Sequence, residues 1–200
     1  MDVAADHPER WCPRLAAYAR VFEAWGATVR VFEGADNCAR RERGGLVVEV
    51  ESTANLVHEI AHALVAERLD DDHGFQYGTL PLDLAGPTGR SALFDELAAC
   101  VLSCAFSSRP ADAWFREQFE IQPVFYGAEA PGDLSRAVCA VLDAYGAEAR
   151  AFVQGVFERF DAALRAVRAA PWICRPIQSV SLDGLWRTYL VRLERRAEIP

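Results

Sequence analysis

Histidine is scarce in this chain: His7, His58, His62 and His73 are the only imidazoles among 200 residues. A site built from many imidazoles is therefore excluded, and a pattern among so few carries weight. Basic residues are also short, 21 Lys and Arg against 29 Asp and Glu, for a net charge of -8. That balance excludes affinity resting mainly on phosphate backbones, which needs a basic face to displace counterions. No apolar run reaches the length needed to span a bilayer. The stretch from Met1 to Arg10 carries Asp, His, Pro and Glu where a secretory leader has a cationic start and an apolar run. The six cysteines (Cys12, Cys38, Cys100, Cys104, Cys139 and Cys174) contain no Cys-x-x-Cys pair. The expectation is a cytoplasmic protein with no nucleic-acid or membrane partner, whose cysteines are small buried hydrophobes rather than a disulfide framework. Cys100 and Cys104 share a helix face, and simple packing is favoured there over a metal or redox pair.

What is present in abundance is apolar sequence, 52% of the chain, enough at this length for one well-buried core. We expect a single domain over residues 1–200, with its core at about 11–170 and an extension at 171–200. Trp11 to Trp25 repeats apolar residues at helical spacing and stops at Gly26. Thr28 to Phe32 alternates, and Leu46 to Val50 is a β-rich run, so two short strands are expected, joined by the polar connection Glu33 to Gly45 as a hairpin or small sheet. A helix capped by Ser52 or Thr53 runs to about Leu69. Pro81, Gly86, Pro87 and Gly89 keep the stretch up to Arg90 out of regular helix. Helices follow over Ser91 to Phe106 and Asp112 to Phe119, then a strand or extended turn at Ile121 to Tyr126. A helix from Asp133 to Gly146, a separate helix from Ala147 to Ala169 and a terminal helix at Leu182 to Arg195 complete the reading. The fold class is α+β: a mostly helical domain with a small N-terminal sheet.

His58-Glu59-Ile60-Ala61-His62 lies on the helix capped at Ser52 or Thr53. Imidazoles at i and i+4 share one face, so both can reach one cation, and Glu59 stands between them. Two histidines leave a divalent cation short of ligands, and a catalytic site adds a third while keeping a position open. Arg68 occupies the place six residues beyond His62 where a metzincin has its third histidine, which excludes that arrangement. Glu96, on the next acidic helix, is the favoured third ligand, in the manner of zincins whose third ligand is glutamate. Asp95 is its rival and His73 a further candidate. Asp95 and Glu96 point about 100 degrees apart on a helix, so we expect only one of them to face the motif. Glu96 shares its side with Ala92, Ala99 and Ser103, small residues that admit a close neighbour.

The order of these features resembles the elongation factor P hydroxylase family, which has a zincin-like core. His58-Glu59-Ile60-Ala61-His62 matches its metal helix, Asp72-His73-Gly74-Phe75-Gln76-Tyr77 is similar to its Asp-x-Gly-Tyr-x-Tyr segment, and Phe94-Asp95-Glu96 resembles the acidic segment that follows. The likeness in order of elements spans about residues 15 to 165. Leu102-Ser103 stands where the family carries Gln-Ala. The resemblance implies His58, His62 and Glu96 as metal ligands and hydroxylation of a modified lysine on elongation factor P.

Two chemistries fit such a site. With iron(II), a two-histidine, one-carboxylate set with open positions suits oxygen activation, and Glu59 becomes a supporting group or a contact for a cationic lysyl substrate. With zinc, Glu59 is the general base of a metallopeptidase, Tyr77 or His73 stabilises the oxyanion, and Leu46 to Val50, at a sheet edge, aligns a peptide by strand addition. A third reading is a non-catalytic zincin-like module, in which His73 closes the coordination shell.

Overall fold

The computed structural model describes residues 13–42, 45–67, 83–120 and 126–177, with single positions at 123 and 184. His73, Tyr77, His7 and the helix expected at Leu182 to Arg195, Gly184 apart, lie outside the described residues, as does most of Ile121 to Tyr126. The first helix, α1 (Pro13–Ala24), buries Leu15, Tyr18, Val21 and Phe22 and is closed by Gly26, whose φ of +87° a residue with a Cβ rarely adopts.

Three strands follow, β1 (Thr28–Val31), β2 (Cys38–Glu42) and β3 (Gly45–Val50), in the spatial order β1-β3-β2. The connection expected to be polar loop thus contains a strand of its own. Its sequence, Cys-Ala-Arg-Arg-Glu, has little apolar content, and charge pairing across the sheet supports it instead. Arg30 on β1 and Arg40 on β2 both donate to Glu49 Oε1 of β3, at 3.1 and 2.7 Å, and both also pair with Glu42. β1 runs parallel to β3 and β2 antiparallel to it, so the two expected strands are neighbours but not a hairpin. Leu46 to Val50 is the central strand, with neighbours on both sides, and offers no edge to a peptide.

The chain leaves β3 into α2 (Thr53–Ala66). Ser52 is its N-cap, accepting from the Asn55 N–H at 3.2 Å. Asn37 Oδ1 then accepts from the Asn55 side chain at 2.8 Å and from the Glu51 N–H at 2.9 Å, pinning the start of α2 to the loop before β2. Leu56, Val57 and Ile60 are wholly buried, each contributing about 1.5–3 kcal/mol of apolar transfer. The helix stops short of Leu69: Glu67 is left-handed at φ 54°, and Arg159, on a later helix, takes the Leu64 carbonyl at 2.9 Å.

α3 (Pro87–Phe106) begins earlier than expected, because Pro87 stands in its first turn, where proline fits and needs no hydrogen-bond donor. Asp83 sets that entrance, its backbone and side-chain oxygens both accepting from the Gly86 N–H at 3.1 Å. Almost the whole of α3 is buried, and α2 is its most extensive packing partner. Then come α4 (Ala111–Glu120) and α5 (Pro131–Ala166), 36 residues in which two helical segments meet, as expected, near Gly146. The expected break survives as a kink at Tyr145 (φ -127°, ψ 19°), and the Arg90 guanidinium lies 4.5 Å over that ring. Beyond α5 the described stretch 169–176 is irregular, as Pro171 to Pro176 dictate. It is tied back by the Trp172 N–H to Tyr18 Oη at 2.6 Å and by Cys174 and Arg175 to the Ala105 carbonyl. The architecture is α+β, with helices dominant and the small sheet before the motif helix. Among the described residues no helix is long and apolar enough to cross a membrane.

Candidate metal centre

The i, i+4 spacing on α2 brings the two imidazoles together: His58 Nε2 and His62 Nε2 stand 3.0 Å apart, with ring centroids 4.7 Å apart. From α3, Glu96 Oε1 lies 3.4 Å from His62 Nε2 and Oε2 lies 3.9 Å from His58 Nε2. His58, His62 and Glu96 thus offer three ligand atoms within 4.8 Å of one another. With metal bonds of about 2.1 Å, atoms sharing one ion stand roughly 3.0–3.4 Å apart, so the donor set fits a divalent cation after a small turn of the carboxylate.

Asp95 does not point away. Its Oδ1 is 3.0 Å from His62 Nδ1, behind the same imidazole that Glu96 meets in front. The 100-degree separation still holds, but a ring has two nitrogens and α3 packs close enough for neighbouring carboxylates to take one each. The hydrogen bond to Asp95 puts a proton on Nδ1 and leaves Nε2 for the metal, the carboxylate-imidazole pairing of many metal sites. Ser103, expected among the small residues facing α2, accepts instead from the buried Trp114 indole of α4 at 2.9 Å.

No family model, curated protein or solved structure matches this chain.

The charges sit in a dry setting. Glu59, His62, Asp95 and Glu96 are all buried. Burial disfavours a charged His62, but Asp95, Glu96, the Asp95 hydrogen bond and Glu59 outweigh it and push its pKa up to about 10. Burial, reinforced by the charge of His62, pushes His58 well below the ordinary range. Burial raises Glu96, with His62 opposing. Without metal the site is therefore a charged His62 donating to a neutral His58 through facing Nε2 atoms. His58 then carries its proton on Nδ1, a buried atom with no hydrogen-bond partner. A cation held by these residues would take the place of the shared proton.

Of the residues expected at the site, His58, His62, Glu96 and Glu59 come together, and His73 and Tyr77 lie outside the described residues. Two more belong to the neighbourhood. Cys100, one turn along α3, donates its thiol to Glu96 Oε2 at 3.9 Å, and burial raises its pKa well above the usual thiol range, so it stays protonated. Tyr126, after α4, is wholly buried. The i, i+4 spacing from Glu96 could have found Cys100; no local pattern marks Tyr126. A separate recess at the other end of α2, lined by Ser52, Thr53, Phe106, Arg109, Trp114 and Trp172, shows that α2 and α3 run antiparallel.

Proposed function

We propose that this chain is a metal-dependent enzyme of zincin-like plan, with His58, His62 and Glu96 holding iron(II), that hydroxylates a lysyl side chain on a protein substrate. The observation that carries it is the convergence of two imidazoles and one carboxylate on a single point, the donor set suited to ferrous iron with positions left open. The resemblance in segment order to elongation factor P hydroxylases names elongation factor P as the first substrate to try. Iron held there supplies oxygen activation. In the balanced reaction one atom of O2 enters a C–H bond, and the other leaves as water with two protons and two electrons from an external reductant. The chain's own residues orient and exclude: Asp95 holds the His62 ring and its tautomer, α3 keeps bulk water from the carboxylates, and buried Glu59 offers a negative contact for a lysyl ammonium. The test is anaerobic purification, loading with ferrous iron, then exposure to O2 with a reductant and elongation factor P. A mass gain of about 16 Da on the substrate is expected; no iron bound and no gain rejects the reading.

A second reading, a zinc metallopeptidase, is favoured by one observation, the burial of Glu59 where its charge acts on His62. In it Glu59 accepts a proton from the attacking water. Its docking edge must be other than β3, which is central in the sheet. Glu59→Gln then keeps metal and loses peptide cleavage, and cleavage at the native rate rejects the role.

A further inference from the structure

The recess beside the start of α2 has a volume of about 270 Å³. It stands apart from the metal centre, since Ser52 at its edge precedes His58 by about 9 Å of helix. Phe106, Trp114 and Trp172 supply its aromatic lining. The first two are buried, whereas Trp172 is 37% exposed. Its backbone is nonetheless fixed: the Tyr18 hydroxyl accepts from the Trp172 N–H at 2.6 Å and donates to the Trp172 carbonyl at 3.3 Å, and the Cys174 N–H donates to the Ala105 carbonyl at 2.8 Å. A large ring anchored in this way, with one side open, is what a preformed pocket presents to a ligand.

Among the described residues no acidic side chain lines the recess, in a chain with 29 acids, and Arg109 is its one charged residue. The Arg109 guanidinium carbon lies 5.9 Å from the centre of the Trp114 ring, so the cation stands at the aromatic wall. Thr53 and Ala54, in the opening turn of α2, add the same sign. Glu117 holds one end of the guanidinium, but both partners are half-exposed, and a guanidinium has donors for a second carboxylate.

We infer that this recess binds a small aromatic carboxylate, its rings against Trp114 and Trp172 and its carboxylate on Arg109. The volume is well above the roughly 150 Å³ of a cavity that takes benzene, which leaves room for two fused rings. The inference does not depend on a metal at His58, His62 and Glu96.

The test is calorimetric titration of the full chain with 2-naphthoate and, as the neutral match, 2-naphthamide. The acid is expected to bind about tenfold more tightly than the amide. Arg109→Gln should remove that preference, and Glu117→Gln, which frees the guanidinium, should tighten the acid about two- to fivefold. Ser108→Trp, which obstructs the recess, should abolish binding of both. Ser108 and Arg109 are exposed, so neither substitution reaches the core. No binding of naphthoate at millimolar concentration overturns the inference, as does equal affinity of the native protein for acid and amide. Binding that survives in Ser108→Trp, or that is lost in His58→Ala, places the ligand elsewhere and overturns it too.

Discussion

Substituting Asp95 by asparagine tests how the buried carboxylate behind His62 acts on the metal. The side chain keeps its shape, and its amide oxygen can still accept from Nδ1, 3.0 Å away, but the charge is gone. Asp95 favours any cation on the far nitrogen, a proton as well as a metal ion. In the native protein the proton holds on until pH about 10. Metal affinity should therefore climb about tenfold per pH unit from near 6.5 towards that value, one proton leaving for each ion bound, which is about 1.4 kcal/mol per unit. In Asp95→Asn the proton leaves at lower pH, so the climb levels off sooner. At the alkaline end, where neither protein holds the proton, the variant should bind about 10–100-fold more weakly, a loss of roughly 1.4–2.7 kcal/mol, because a divalent ion loses more than a proton does when the charge is removed. Towards pH 6.5 the gap narrows. The assay is competition against a chelator of known pH behaviour, with calorimetry in two buffers of different ionisation enthalpy to count protons. Parallel affinity curves with a constant offset, or equal proton release from both proteins, would refute the reasoning.

Further outcomes follow from other parts of the structure. Gly89→Ala places a Cβ 2.6 Å from the Asp83 carbonyl oxygen, so the entrance to α3 must shift; a loss of about 1–3 kcal/mol is expected in chemical denaturation, and an unchanged midpoint contradicts the close approach. Ser103→Ala removes the acceptor of the buried Trp114 indole N–H, and about 1–3 kcal/mol of stability should go with it, read by thermal melting and by a change in the environment of tryptophan fluorescence. The metal-free protein should lose stability as pH rises from 6.5 towards 10: the folded pKa of His62 is raised, so its contribution is full below 6.5 and lost on the alkaline side. His58, whose folded pKa is depressed, contributes above 6.5 and loses that contribution as pH falls. A melting temperature that rises steadily from pH 6.5 to 10 contradicts this assignment.

The parts of this chain legible in its sequence are those where one local pattern decides. Ser52 caps a helix that carries its histidines one turn apart, and an apolar helix with an acidic pair follows, so the elements that meet at the site are marked before any packing is known. The relation between Asp95 and Glu96 is not so marked. Helical angle alone separates them, and only the distance between α2 and α3 shows that one ring accepts both. β2 escapes because its support is Arg30 and Arg40 reaching to Glu49, a cross-strand pairing with no periodic trace in Cys-Ala-Arg-Arg-Glu. The break near Gly146 is legible in its place: Tyr145 leaves helical φ/ψ, and two helical segments meet there across a kink.

The tie between Tyr18 and Trp172 has a consequence for the order in which the molecule assembles. Those residues are 154 positions apart, whereas His62 and Asp95 are 33 apart. Closing the longer loop costs about 1.4 kcal/mol more in chain entropy, so the helix pair around the imidazoles comes together ahead of the final strap. During synthesis the ligands are all made before residue 100, while Trp172 has yet to emerge. An ion taken up by His58, His62 and Glu96 at that stage would meet a half-built molecule and tie α2 to α3 before the strap is made.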